Sequence, residues 1–138
     1  MKLKKRQQSA NAKLIKGHLA PDSIPAEKKK PLFSFQYLDP EYCISRCEKK
    51  DKAALADQLR ILGSKTWTEL HQASRHGIGY EKIGKNSIKT GLPEHLKNDD
   101  ITFFAFRFSG KKPMVGYRYQ EIFYIIWLDR DYSLYEHC

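Results

Sequence analysis

Near residue 33 the chain alternates between apolar and polar side chains. Phe33, Phe35 and Tyr37 alternate with Ser34 and Gln36, which is the two-residue period of a half-buried strand. The Asp-Pro pair that follows ends this strand, because proline cannot donate a backbone hydrogen bond. The pattern therefore predicts one short strand at the beginning of the globular part.

A helical period follows this strand. Over residues 50–62, Leu55, Leu59 and Leu62 recur at spacings of four and three, with charged residues between them. The motif Thr66-Trp67-Thr68-Glu69 then matches a capping box, in which the threonine and glutamate side chains satisfy opposite backbone donors. The sequence therefore predicts two helices in close succession, a helical hairpin.

The second half of the chain has the pattern of a β-sheet. A polar passage that contains glycine and proline, with a short strand at 80–83, leads to apolar segments at 101–108, 114–119 and 122–128. The first and last of these segments are apolar on both faces, which is typical of central strands. The element order predicts an α+β fold in which the helical hairpin packs on an antiparallel β-meander.

Length and charge divide the chain into two parts. Its 138 residues are enough for one domain, and the formal net charge is +9. Residues 1–31 hold most of that charge and few apolar residues, so we predict a basic flexible arm there and a single domain over 32–138. A basic arm suits a polyanion such as nucleic acid, and it equally suits a solvated tail that keeps the protein soluble.

Hydropathy and cysteine usage predict the compartment. The longest apolar run, at 122–128, has seven residues, far fewer than the roughly 20 that span a bilayer. No apolar segment follows the N-terminal lysines as in a secretory signal. The chain has three cysteines, Cys43, Cys47 and Cys138, and an odd number argues against a disulfide framework. The histidines supply no second pair of ligands that would complete a zinc site with Cys43 and Cys47. We therefore expect a soluble, cytoplasmic protein with no membrane partner, no metal and no cofactor.

Cations at the predicted strand ends are the first candidates for chemistry. Arg107 interrupts the most apolar strand, so it must be paired or must meet an anion in a cleft. A plain meander brings further side chains to the same sheet edge: Lys111, Lys112, Arg130, Tyr132, Tyr135 and His137. Such a cluster can bind a phosphodiester, stack bases or cleave RNA without a metal. The alternative is a set of ordinary rim charges without a specific role.

Three more residues are candidates for RNA binding. Arg118 lies near the end of the strand predicted at 114–119, and Arg75 and His76 lie in a glycine-containing loop. His76 could reach a site as acid or base, although a loop histidine beside glycines is often incidental.

Two runs of residues resemble the RelE/ParE-type superfamily of bacterial toxins. They are Phe106 to Lys112 (FRFSGKK) and Ile122 to Tyr132 (IFYIIWLDRDY), the latter followed by Tyr135. Proteins of the ribonuclease branch of that superfamily cleave mRNA on the ribosome without metal, and an antitoxin protein neutralises them. The other branch inhibits gyrase.

The resemblance implies roles for particular residues of this chain. Arg107 would contact phosphate, Lys112 would stand for the basic residue of the turn, and Arg130 would stabilise the transition state. Tyr135 or His137 would carry the proton. The chain departs from the family pattern in its Lys-Lys-Pro turn and its later Tyr-Arg pair, and in its basic arm.

Three hypotheses follow from the sequence. The first is a toxin-like, RNA-directed protein, a candidate metal-independent endoribonuclease whose partners are RNA or the ribosome and an antitoxin. The second is a non-catalytic nucleic-acid or ribonucleoprotein binder that uses the basic arm as an electrostatic tether. The third is a protein-interaction domain whose aromatic strands form the partner surface.

Overall fold

The part of the chain that the structure describes folds into two helices and a five-stranded sheet, which confirms the α+β class. The computed structural model describes residues 24–136. The helices are α1 (Lys49–Leu62) and α2 (Trp67–Gln72), and the strands are β1 (Leu32–Ser34), β2 (Glu81–Gly84), β3 (Thr102–Ser109), β4 (Lys112–Tyr119) and β5 (Ile122–Leu128). Short 3₁₀ turns lie at Ala26–Lys28, Pro40–Tyr42, Ile44–Arg46, Lys85–Ser87 and Glu94–Leu96. Within residues 24–136, no helix has the length and apolar character needed to cross a membrane.

The sheet is mixed: the predicted antiparallel meander is present, and the N-terminal strand, whose direction was not predicted, joins it in parallel. Its strand order is β1-β5-β4-β3-β2. Strands β2 to β5 do form an antiparallel meander, but β1 lies parallel to β5, with Leu32 paired to Ile122 and Ser34 to Tyr124. No short turn sets the direction of β1, because two helices separate it from the meander.

Both helices begin and pack as their sequences predict. The capping box of α2 is present: Glu69 N donates to Thr66 Oγ1 at 3.2 Å, and Thr66 N donates to Glu69 Oε1 at 3.0 Å. The apolar stripe of α1 buries Leu55 and Leu62 against the sheet. One surface of the sheet, called the helix face here, is thereby covered.

The opposite surface of the sheet, the loop face, is covered by irregular segments. Loop residues such as Leu96 and C-terminal residues such as Leu134 pack there on Phe103, Val115 and Trp127. The two covered faces explain why β3 and β5 are apolar on both sides.

The last residues of the predicted arm lie on the domain. Trp67 N lies in the first turn of α2, where backbone donors have no partner within the helix, and it donates to Lys29 O at 3.0 Å. Glu27 pairs with Arg118 at 3.1 Å, and Lys29 pairs with Glu121 at 2.9 Å. The folded part therefore begins before residue 32, because these backbone and side-chain groups satisfy partners at the start of α2 and beside the β4–β5 turn. The rest of the predicted arm, residues 1–23, lies outside the described residues.

Candidate nucleic-acid interface

A cleft of about 620 Å³ opens beside β2 and the second half of β3. The loop between α2 and β2 forms one wall, and the β3–β4 turn and the C-terminal segment form the others. Five basic and two acidic side chains line it, a net charge of +3: Arg75, Lys82, Lys89, Arg107, Lys111, Glu81 and Glu136. The volume lies within the range of ligand pockets, and the charge favours an anion.

A sharp turn after α2 shapes the first wall. Gly77 N and Gly79 N both donate to Ser74 O, at 2.9 Å each. A Cβ at position 79 would overlap the backbone of Ala73 and lie 2.7 Å from Ser74 O, so only glycine fits there. The turn places His76 at the cleft, against the side chain of Arg107.

Arg107 is held by its contacts with His76. Its Nη1 donates to His76 O at 3.1 Å, and its Nη2 donates to His76 Nδ1 at the same distance. A guanidinium only donates, so Nδ1 accepts and the ring proton is assigned to Nε2. Among residues 24–136 no carboxylate pairs with Arg107, which lies partly buried in the cleft wall. A partly buried arginine of this kind has the charge and donors to bind an anion.

Glu81 connects two other side chains of the cleft. Arg75 Nη1 donates to Glu81 Oε2 at 2.7 Å, and Tyr135 Oη donates to Glu81 Oε1 at 3.3 Å. Burial, and then the nearby Glu81 charge, raise the pKa of Tyr135 well above its usual value. The Tyr135 hydroxyl therefore stays protonated at neutral pH and acts as a donor.

The C-terminal wall depends on a buried carboxylate. Asp129 accepts hydrogen bonds from Ser133 N at 2.8 Å and from Leu134 N at 3.1 Å. Lys89 N donates to Leu134 O at 2.8 Å, which ties the segment to the loop that precedes β3. These bonds place Tyr132 and Tyr135 at the cleft.

Five of the nine candidate residues line this one cleft. They are Arg107, Lys111, Tyr135, Arg75 and His76. Their catalytic and RNA-binding roles stay predictions, since their position alone assigns no role. His137 lies outside the described residues.

The other three candidates lie elsewhere, and local geometry explains why. Lys112 Nζ donates to Asp51 Oδ2 on α1 at 2.8 Å, because adjacent residues of an extended chain point to opposite faces. Arg130 donates to Glu41 O at 3.0 Å and lines a separate recess of about 290 Å³. Arg118 lies over the ring of Trp67, with its Cζ 4.4 Å from the ring centroid. The structure thus separates Lys112 and Arg130 from the cluster that a plain meander was expected to gather, and Arg118 was not part of that expected cluster.

Sequence reasoning missed four charged residues of the cleft, one of which is Glu136 in the C-terminal segment. Glu81 and Lys82 lie on β2 and Lys89 lies in the following loop, in a passage that sequence reasoning treated mostly as a loop. One usable signal was present: Glu81 and Ile83 are two residues apart, so they share a face in any strand. Ile83 is buried in the loop-face core, and Glu81 lies beside it at the cleft.

The cleft combines groups that bind phosphate with groups that move protons. Arg107, Lys82 and Lys111 can neutralise a phosphodiester. The Glu81 carboxylate can accept a proton, and the Nε2–H of the His76 ring can donate a hydrogen bond. This set is suited to acid–base chemistry at phosphorus.

No protein-family model, no curated protein and no solved structure matches this chain. The resemblance to RelE/ParE-type toxins therefore remains a prediction from the two sequence runs. The function of the protein has to be argued from the cleft.

Proposed function

We propose that the protein binds RNA in this cleft and cuts it without a metal, as a toxin-type endoribonuclease. One observation carries the proposal: Arg107, Lys82 and Lys111 line the cleft, and no carboxylate among residues 24–136 pairs with them. A phosphodiester would supply the missing negative charge.

RNA brings its own nucleophile to such a site. The 2′-hydroxyl oxygen forms a bond to the adjacent phosphorus while the bond to the 5′-oxygen breaks. The products are a 2′,3′-cyclic phosphate and a 5′-hydroxyl end. In this scheme Glu81 takes the 2′-hydroxyl proton, a water molecule protonates the leaving 5′-oxygen, and Arg107, which is held by His76, stabilises the charge that develops on phosphorus. Tyr135 orients Glu81 through its hydroxyl group and is a positioning residue.

A non-catalytic RNA-binding protein is the second candidate. Both carboxylate oxygens of Glu81 already accept hydrogen bonds, one from Arg75 and one from Tyr135. Each of these bonds occupies a position at which Glu81 could accept a proton from the substrate, which favours binding without cleavage.

Binding is tested by replacing Arg107. We expect Arg107→Ala to raise the Kd for a single-stranded RNA oligonucleotide about tenfold, because a charge-assisted contact to phosphate is lost. The matched control is Arg60→Ala, which removes the same charge from an exposed position on α1. Fluorescence anisotropy at fixed salt measures both variants, and circular dichroism confirms that each is folded. Equal Kd values for the two variants would show that the cleft does not bind RNA.

Cleavage is tested separately, with a 5′-labelled RNA in buffer containing a chelator. We expect fragments that end in a cyclic phosphate, and none from DNA of the same sequence, which lacks the 2′-hydroxyl. Glu81→Gln should lower the cleavage rate by a factor of about 100 or more while RNA stays bound. Tight binding without any fragments would favour the non-catalytic alternative.

The toxin role is tested in cells. Induction of the wild-type chain in a bacterial host should arrest growth and fragment mRNA, and Arg107→Ala should do neither. An antitoxin partner would present acidic residues to the cleft, because its cations need a negative surface to cover them. Continued growth with intact mRNA after induction of a folded wild-type chain would rule out this role.

A further inference from the structure

The loop face carries an aromatic surface outside the cleft. At the far end of the meander, Tyr119 and Ile122 pair across the β4–β5 turn, and Leu32 of β1 pairs with Ile122. Two residues further along, Tyr117 pairs with Tyr124. Residues paired across strands share a face, and so do residues two apart.

The rings of this surface lie close to one another. Tyr117 and Tyr124 stack with ring centroids 5.0 Å apart, and Tyr37 lies 5.4 Å from Tyr124. The exposed ring of His95 lies 4.1 Å from Tyr37, and its Nε2 is hydrogen-bonded to Tyr117 Oη at 3.0 Å. We call the five residues Tyr37, His95, Tyr117, Tyr119 and Tyr124 the tyrosine platform.

The platform is open to solvent. Tyr119 is 58% exposed, and Leu32 at its rim is 60% exposed. Tyr37, Tyr117 and Tyr124 are half-buried, so part of each ring still reaches the surface. Its members are flat rings with polar tips, which can stack on other rings and form hydrogen bonds at their edges.

We propose that unstacked bases of a single-stranded RNA stack on the tyrosine platform while its phosphates enter the cleft. This inference rests on the proposed RNA-binding function and adds the class of substrate, a single strand with accessible bases. Aromatic side chains stack any base, since every base has a π-face.

The position of the platform relative to the cleft supports one continuous ligand. Pro113 pairs with Arg107 and also lines the cleft, and Tyr117 lies four residues further along β4, about 13 Å away along the strand. Ala105, which lines the cleft, and Tyr117 both pack in the loop-face core. Platform and cleft therefore lie on the same face of the sheet and within reach of one strand of several nucleotides.

The test compares the aromatic ring of Tyr119 with an aliphatic side chain at the same position. We expect Tyr119→Leu to raise the Kd for a single-stranded RNA about five- to tenfold, and Tyr119→Phe to leave it nearly unchanged. An oligonucleotide of the same length with abasic positions should bind the wild-type protein more weakly by a similar factor. A duplex of the same sequence should bind Tyr119→Leu and wild type equally, because its bases are already stacked.

The possible failures of the two proposals can be distinguished. If the abasic oligonucleotide binds as tightly as the intact one while Arg107→Ala still weakens binding, the platform proposal is overturned and the cleft remains. If no RNA binds the folded wild-type protein, both proposals are overturned. If sedimentation shows a dimer that Tyr119→Leu dissociates, the platform is instead an interface between two copies of this chain.

Discussion

Among single residues, Asp51 of α1 is a buried carboxylate that receives two hydrogen bonds from the β3–β4 turn. Ser109 Oγ donates to its Oδ1 at 2.7 Å, and Lys112 Nζ donates to its Oδ2 at 2.8 Å. These bonds, that from Lys112 first, hold the pKa of Asp51 below its usual value. The ionised form therefore ties α1 to the same turn that carries Lys111 into the cleft.

The role of Asp51 predicts a specific pH dependence. A carboxylate with a lowered folded-state pKa stabilises the fold above its unfolded pKa of about 4, and this stabilisation is lost as the pH falls. At pH 7 we expect Asp51→Asn to lower the free energy of unfolding by about 2 kcal/mol. Urea unfolding from pH 7 to pH 2.5 should show the difference between wild type and variant shrinking below about pH 4. A difference that stays constant over this range would contradict the assignment.

Among elements, strand β4 has an irregularity that requires glycine. The pairing of β4 with β5 shifts register between Val115 and Gly116, as at a β-bulge. A Cβ at position 116 would overlap the carbonyl oxygen of Tyr124 and lie 3.1 Å from the Cα of Ile125. The close approach of the two backbones there leaves room for hydrogen only.

This contact predicts a large effect of a small substitution. We expect Gly116→Ala to lower the free energy of unfolding by at least about 3 kcal/mol, because the obstructing atoms belong to the backbone of a central strand. Gly91→Ala is the matched control, since nothing lies within 4 Å of its added Cβ, and it should change stability by less than about 0.5 kcal/mol. Equal stability of the two variants, measured by urea unfolding, would show that β4 and β5 can separate at this point without cost.

For the whole molecule, charge is distributed unevenly along the chain. Residues 1–23 hold six basic side chains and one acidic side chain, out of a total net charge of +9. The segment Ala26–Lys28 packs on the domain beside α2, far along β4 from the Lys111 turn. Under the proposed function, the cations of residues 1–23, which lie outside the described residues, would add a second electrostatic contact with RNA to that of the cleft.

This arrangement predicts the salt dependence of RNA binding. In the full chain, replacing Lys4, Lys5 and Arg6 with glutamine should reduce the slope of log K against log salt by up to about 2, since each lost phosphate contact removes roughly 0.7. The control replaces Lys49, Lys50 and Lys52, which are exposed on α1, with glutamine and has the same net charge. Identical slopes for the two triple variants would mean that only net charge matters and that the N-terminal cations make no direct contact.

Sequence alone determined the local elements. The leucine spacing of α1, the capping box of α2 and the apolar runs of β3, β4 and β5 all act over a few neighbouring residues, and each predicted element is present near its predicted bounds. The strand predicted to run to Tyr37 ends earlier, at Ser34, whose Oγ accepts a hydrogen bond from Gln36 N and begins a turn. The alternating pattern of apolar and polar residues does not reveal that a serine side chain competes with strand pairing for a backbone N–H group.

Only the tertiary structure decided the direction of β1 and the membership of the cleft. Lys111 and Lys112 are neighbours in the chain, yet one lines the cleft and the other pairs with Asp51. The pairing of His76 with Arg107 and that of Glu81 with Tyr135 join residues 31 and 54 positions apart. Local patterns determine elements because their interactions are short in sequence, whereas a site depends on which faces the packed elements present to one another.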